Sequence, residues 1–162
     1  MSDAAASSRL RRVTQDLTWG PNLVDVRGYA WLKDQGFNAI VDLTLEGAEN
    51  VEAAVQAKLT LANIQIAAGH APTHAQMKAF LDFVTNPAHQ PCFVHCAGAT
   101  GRSAVAIACF RLATQGWTFE AAGREARDNG LENTEQLDYL KDFAVALSAG
   151  KIAGYPFNVS RL

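Results

Sequence analysis

The run Val94-His95-Cys96-Ala97-Gly98-Ala99-Thr100-Gly101-Arg102-Ser103 decides how the rest of the chain is read. Just before it, Cys92-Phe93-Val94-His95 has the apolar character of a short buried strand. Just after it, Ala104 to Ala113 reads as a helix rich in small residues, stopped by Gly116. A strand therefore enters a glycine-containing loop, and the loop enters a helix. Backbone N–H groups in such a loop can converge on an anion, and the helix N-terminus adds its dipole and its unpaired donors. Gly98 and Gly101 admit backbone angles closed to other residues. The same field acts on Cys96. A thiol at a helix N-terminus can have its pKa lowered into the range of roughly 3.5 to 7.5, which predicts a thiolate nucleophile that needs no separate base. Arg102 supplies a planar fork matching two oxygens of a tetrahedral phosphate, with a grip that tightens as the equatorial plane forms. Ser103 can donate a hydrogen bond to the sulfur as it leaves, and His95 can bond nearby backbone and hold the loop. Cys96, Arg102, Ser103 and His95 are thus the candidate catalytic residues. Ala97, Gly98, Ala99, Thr100 and Gly101, with Arg102, form the candidate substrate-binding loop.

Outward from this segment, helical and strand patterns alternate. Residues 1 to 8 read as a loose tail. Two extended stretches follow, around Asp16 to Trp19 and Leu23 to Val26, split by Gly20-Pro21-Asn22. Gly28 to Gln35 reads as a short helix ended by Gly36. Ala39 to Leu43 reads as a buried strand, Ala48 to Leu59 as a helix, and Ile64 to Ile66 as a strand. Thr73 is a good N-cap for a helix to about Thr85, with Met77, Phe80, Leu81 and Val84 on one face. Helices are also expected over Phe119 to Asp128, closed by Asn129-Gly130, and from a Thr134 cap to about Ser148; Gly150 to Leu162 reads as irregular. This order predicts a single-domain α/β fold: a central, mostly parallel sheet of four to five strands flanked by helices.

At 162 residues and 17.4 kDa the chain can build one core without a metal or a disulfide. Apolar residues make up 49%, which excludes disorder. A net charge of −2 leaves no basic footprint for nucleic acid and no polybasic membrane patch. The longest unbroken apolar stretch, Ala104 to Phe110, is far short of a membrane span, and no apolar segment follows the early charges as in a signal peptide. Three cysteines do not make a disulfide framework, so a reducing cytoplasm is the expected setting.

The central run resembles the His-Cys-x5-Arg-Ser/Thr signature of the cysteine-dependent protein tyrosine phosphatases, and looks closest to their small dual-specificity branch. The likeness extends to Ile64 to Val84, with Ala-Pro-Thr before a helix, and to Glu132 to Leu140, over roughly residues 10 to 148. It implies a phosphatase domain over residues 10 to 150, a flexible tail at 1 to 9 and a C-terminal tail at 151 to 162. It implies attack of Cys96 on phosphorus, a phosphocysteine, a general acid for the leaving oxygen, and hydrolysis by water, with no metal or cofactor. The expected substrates are phosphotyrosine, with or without phosphoserine or phosphothreonine, in a phosphorylated protein. The resemblance also exposes a departure. The acid, usually an Asp about thirty residues before the cysteine, should fall at position 68, where this chain has Ala68; there is no carboxylate between Glu52 and Asp82. Three readings stay open. Glu132, His70 or His74 supplies the acid; the substrate carries a good leaving group; or position 68 is a substitution that keeps binding and slows turnover, as in a substrate trap. Two rival functions follow: a phosphate-binding pseudophosphatase, and a phosphatase for small molecules such as inositol phosphates or phospholipid head groups. Ala97, Ala99 and Thr100 carry no charge, which disfavours a highly anionic head group.

Other residues have plainer readings. Cys92 is expected in the core rather than as a redox partner of Cys96, and Cys109 in the core. His70 and His74 read first as ordinary loop and helix-start residues, and His89 as a solvated loop residue. Asp42, at the end of a strand on the ligand side of the sheet, either orients Arg102 or the loop, or is an exposed turn carboxylate. Arg9, Arg11 and Arg12 read as a solvated tail, and Trp19, Trp31 and Trp117 as core or edge.

Overall fold

The structure is a computed structural model, which describes residues 2–47 and 49–155. Strands β1 (Arg11–Arg12), β2 (Leu17–Gly20), β3 (Ala39–Thr44), β4 (Thr60–Ile66) and β5 (Cys92–His95) form one sheet in the order β1-β2-β5-β3-β4. All pairings are parallel except β1 with β2. The short strand before the signature loop is therefore the centre of the sheet. Its last residue, His95, lies in register with Gly20 on one side and Asp42 on the other. Parallel strands end at a common edge, and the loops leaving β2, β3 and β5 meet there, where ligands bind in open α/β sheets.

Residue alternation sorts the sheet into two faces. Leu17, Trp19, Ala39, Val41, Leu43, Cys92 and Val94 enter one core, and Ile40 and Phe93 enter the other. The first core is covered by α4 (His74–Thr85), α5 (Gly101–Gln115), α6 (Phe119–Asp128) and α7 (Thr134–Ser148). The second lies under α1 (Asp3–Ser7), α2 (Val24–Asp34) and α3 (Val51–Gln56). Helix α5 is buried nearly all round, because its small residues let it lie against α4, α6 and α7 at once. Among the described residues, no helix is long and apolar enough to cross a membrane.

The α/β reading, the parallel strands and the helices over 74–85 and 119–128 agree with the sequence. Several local readings do not. Leu23 to Val26 is not extended: the Asn22 side chain accepts the Val24 N–H at 3.1 Å and turns the chain into α2, which kinks at Gly28 (φ 80°). Residues 1 to 8 contain α1, capped by Ser2 and seated by the fully buried Ala6. Helix α3 is shorter than its apolar spacing suggested, and Ala48 lies outside the described residues. Helix α7 is capped by Asn133, whose side chain takes the Gln136 N–H, and Thr134 is its first helical residue. His89 is not simply solvated: it stacks on Phe83 and its Nδ1 lies 2.8 Å from the Phe83 carbonyl oxygen. Arg11 is tied to Asn129 and lies over the Trp19 ring. The last residues, from 156 on, lie outside the described part of the chain.

Candidate active site

Cys96 follows β5 directly and is 1% exposed, so its thiol lies at the floor of the loop. The loop runs from there to Gly101, the first residue of α5. Positive φ falls at Ala99 (58°), not at Gly98 or Gly101, which corrects the conformational role expected of the two glycines. Gly101 is needed for space instead. A Cβ there would lie 2.7 to 2.8 Å from Gln136 and Glu132. Thr100, the N-cap of α5, caps nothing with its side chain; its hydroxyl donates to Glu132 Oε1 at 3.2 Å. Among the described residues, the backbone N–H groups of residues 97–102 meet no protein acceptor. A row of unpaired donors at a helix start is an electropositive cradle for an anion.

Arg102 is buried beside this row. Its two terminal nitrogens form a fork on Glu46, both at 2.7 Å, and Nη1 also donates to the Ile66 carbonyl at 3.0 Å. These bonds hold the Glu46 carboxyl down at about 2 and raise the Arg102 pKa above its ordinary value, with the nearby Cys96 and Glu132 adding to the latter. Asp42 does not orient Arg102. It is buried, and its Oδ1 accepts the Thr44 N–H and hydroxyl at 2.8 and 2.7 Å. Ser103 is fully buried, and its hydroxyl has no partner among the described residues.

His95 is fully buried between two acceptors. Nδ1 lies 3.2 Å from the Cys96 carbonyl oxygen and Nε2 lies 2.7 Å from Glu49 Oε1. The other Glu49 oxygen accepts the Tyr29 hydroxyl. Burial alone would push the Glu49 carboxyl up; the bonds from His95 and Tyr29, with the charge on His95, outweigh it and hold the carboxyl below its ordinary value. Asp42, Glu49 and His95 offer donor atoms within 4.8 Å of one another, but those atoms are already engaged with each other, with Thr44 and with Cys96.

The chain before α7 closes the site from above. Glu132 sits between the loop and residues 67–70. A Cβ on Gly69, next to Ala68, would lie 3.6 Å from Glu132 Oε2. Gln136, fully buried, accepts the Glu132 N–H at 2.9 Å and donates to the His70 carbonyl at 3.3 Å. Asn133 donates to the Gly69 carbonyl, and Glu135 accepts the Ala71 N–H and faces His70 Nδ1 at 3.4 Å. The His70 side chain is mostly exposed, and His74 is packed on Tyr139 and Phe143 of α7. Of the acid candidates, only Glu132 is seen to touch the loop. Cys92 opens β5 and is buried; four residues of extended chain put its Cα roughly 13 Å from that of Cys96. A direct disulfide reaches no further than about 7 Å, so Cys92 is core. Burial likewise pushes the Cys92 and Cys109 thiols up.

Sequence reading missed Glu46, Glu49, Tyr29 and Gln136. The first two had a usable signal: carboxylates a few residues beyond the C-terminal end of a strand bordering the signature strand. Tyr29 and Gln136 had none, because their contacts are long-range.

Residues 14–142 match the family described as DSP-PTPase phosphatase fused to NAD+ kinase. The chain belongs to this family. It is thereby a member of the cysteine-dependent, dual-specificity-like phosphatase superfamily, as the signature implied. A curated relative, the probable NAD kinase 2, chloroplastic, of Oryza sativa subsp. japonica, is 27% identical over 158 residues. The match covers 88% of this chain but only 16% of that relative's length. Among solved structures, the core catalytic domain of the PP-IP phosphatase SIW14 from S. cerevisiae, in complex with citrate, has a TM-score of 0.71 at 16% identity, covering 92% of this chain and 96% of that one. PTPMT1 in complex with PI(5)P has a TM-score of 0.72 at 17% identity, covering 88% and 98%. Kinase associated phosphatase has 0.70 at 22%, covering 82% and 88%. These likenesses establish the fold of this family member.

Proposed function

We propose that residues 10–150 form a phosphatase domain that hydrolyses phosphate monoesters through a phosphocysteine at Cys96, phosphotyrosine foremost and phosphoserine or phosphothreonine besides. The observation that carries this reading is the row of unpaired N–H donors between a recessed cysteine and an arginine fixed by Glu46. The Cys96 thiolate attacks phosphorus, and the bond from phosphorus to the ester oxygen breaks. The donors of residues 97–102 and the Arg102 edge not used by Glu46 hold the phosphoryl oxygens. Glu132 gives its carboxyl proton to the leaving oxygen. Water then attacks the phosphocysteine, returns a proton to Glu132 and releases phosphate, and Ser103 donates to the departing sulfur. Glu132 is preferred to His70 as the acid because it borders both the loop and the segment containing Ala68. The three unpaired thiols are in keeping with a reducing compartment such as the cytoplasm.

The test compares hydrolysis of phenyl phosphate and p-nitrophenyl phosphate by the wild type, Cys96→Ser, Glu132→Gln, His70→Ala and Ala68→Asp. Cys96→Ser should be inactive. Loss of a general acid costs typically 10^2- to 10^4-fold, so Glu132→Gln should lose about 10^2-fold on phenyl phosphate and less on the better leaving group. His70→Ala and Ala68→Asp should change little. A second reading, an acid-deficient phosphate binder, is favoured by Ala68 itself. It predicts that Ala68→Asp raises kcat tenfold or more, about 1.4 kcal/mol off the barrier. A small-molecule substrate is the other alternative, suggested by SIW14 and PTPMT1; a panel of phosphopeptides, inositol phosphates and phospholipid head groups separates the two.

A further inference from the structure

The hydrogen bonds around His95 assign a role to Glu49. The His95 ring is fully buried, and each nitrogen faces a group that only accepts: the Cys96 carbonyl at 3.2 Å and the Glu49 carboxylate at 2.7 Å. A neutral imidazole has one N–H and satisfies one of them. The pattern calls for a proton on both nitrogens. Glu49 is not the source of the missing proton: its second oxygen accepts the Tyr29 hydroxyl, that hydroxyl accepts the Asn50 N–H at 2.7 Å, and the bonds from His95 and Tyr29 hold the carboxyl below its ordinary value despite its burial. Donors thus point toward the carboxylate from both sides. The other groups facing the ring fit the same charge. Asp42 Oδ1 is 4.0 Å from Nδ1, and the Phe93 ring stacks on the imidazole. Arg102, the other cation near Cys96, is neutralised by Glu46, and Glu132 meets the loop at Thr100.

Burying an imidazolium without a counter-charge is costly, and a carboxylate in contact removes most of that cost. We propose that Glu49 is a positioning residue for the nucleophile: its buried carboxylate keeps His95 doubly protonated, so that His95 grips the Cys96 carbonyl and holds a positive charge beneath the thiolate. The proposal deepens the phosphatase reading of this site and rests on it. The charge sits one residue from Cys96 at the end of the central strand, where it favours the thiolate without touching the substrate. Tyr29 and Asn50, from α2 and the start of α3, keep the carboxylate turned toward it.

The test reads protonation and thiol reactivity, neither of which needs turnover. In 15N-labelled wild type, the His95 ring should carry protons on both nitrogens at neutral pH. Iodoacetate alkylation of Cys96, identified by protection with inorganic phosphate, should show a pH midpoint that Glu49→Gln moves up by about one unit. Below both midpoints that is a tenfold slower reaction. The same substitution in a His95→Asn background should add no further shift, because Glu49 acts through His95. A midpoint unmoved by Glu49→Gln, or moved equally in the His95→Asn background, overturns the proposal. If Glu49→Gln fails to fold, the wild-type spectrum decides: a single ring proton on His95 overturns it. A chain that shows the shift but hydrolyses no phosphate ester refutes the phosphatase reading and leaves the Glu49 assignment standing.

Discussion

In the proposed mechanism Arg102 carries two duties at once, and Glu46 is what lets it do so. A guanidinium has five donors in a rigid plane. Here both terminal nitrogens are spent on Glu46 and one also on the Ile66 carbonyl, which fixes the plane before any ligand arrives. Lysine has neither the plane nor the second fork. Arg102→Lys should therefore lower kcat/KM by about 10^2-fold or more, roughly 2.7 kcal/mol, measured on p-nitrophenyl phosphate. Glu46 has a definite acid signature. Its carboxyl falls from the ordinary 4.5 to about 2 in the folded protein. A group lowered on folding stabilises the fold above its unfolded pKa, and that contribution fades as pH falls toward the folded value. The gap in urea midpoint between wild type and Glu46→Gln should be present at pH 7 and shrink between pH 4.5 and 3. It should be small, because Glu46 is half exposed. At this scale the sequence brings Cys96, Arg102 and Ser103 together as candidates because they lie within one run of chain. It was a poor guide to what fixes them. Glu46 and Glu49 sit 56 and 46 residues from their partners; their place just past β3 marks them as bordering the site, but no local pattern says which side chain each one meets.

Elements place these residues through a few close approaches. The start of α5 meets the start of α7 so tightly that Gly101 has no room for a methyl group against Gln136 and Glu132. Gly101→Ala should push Glu132 off the loop and cut activity at least tenfold while leaving most of the fold intact. Far-UV circular dichroism beside kinetics separates the two effects. Farther out, α4 begins with a reciprocal cap, Thr73 on the Gln76 N–H and the Gln76 side chain on the Thr73 N–H. Thr73→Ala should cost about 1 kcal/mol in chemical denaturation and leave the alkylation of Cys96 unchanged. The Thr73 half of that cap was visible in sequence because it spans three residues. The segment around Leu23 was misread because its apolar residues suit a strand as well as a helix, and only the Asn22 side chain tips the choice. Gly101 was singled out for its backbone freedom when its lack of a side chain was the point. A sequence shows that a glycine is present, not whether torsion or crowding requires it.

At the scale of the whole molecule, one sheet separates two unequal cores. The larger is built on α5 and holds Leu112, Phe80, Phe143 and Leu140, all with 0% exposure. Leu112→Ala should cost about 2 to 5 kcal/mol, read as a lower urea midpoint with unchanged slope. The α/β class and the parallel order were legible because helices and apolar strands alternate along the chain. The sheet order was not, since it depends on β5 inserting between β2 and β3. Helix α5 has a further consequence. It carries the unpaired N–H donors of the candidate site at its start and is buried along almost its whole length. Amides of such an element exchange with solvent only through the largest openings of the molecule, whereas the short helices of the other face, α1 and α3, can open alone. Deuterium should therefore enter α1 and α3 first and the second half of α5 last. Partly opened forms of the protein would still keep the helix that begins at Gly101, so the anion cradle would be among the last features lost as the molecule unravels.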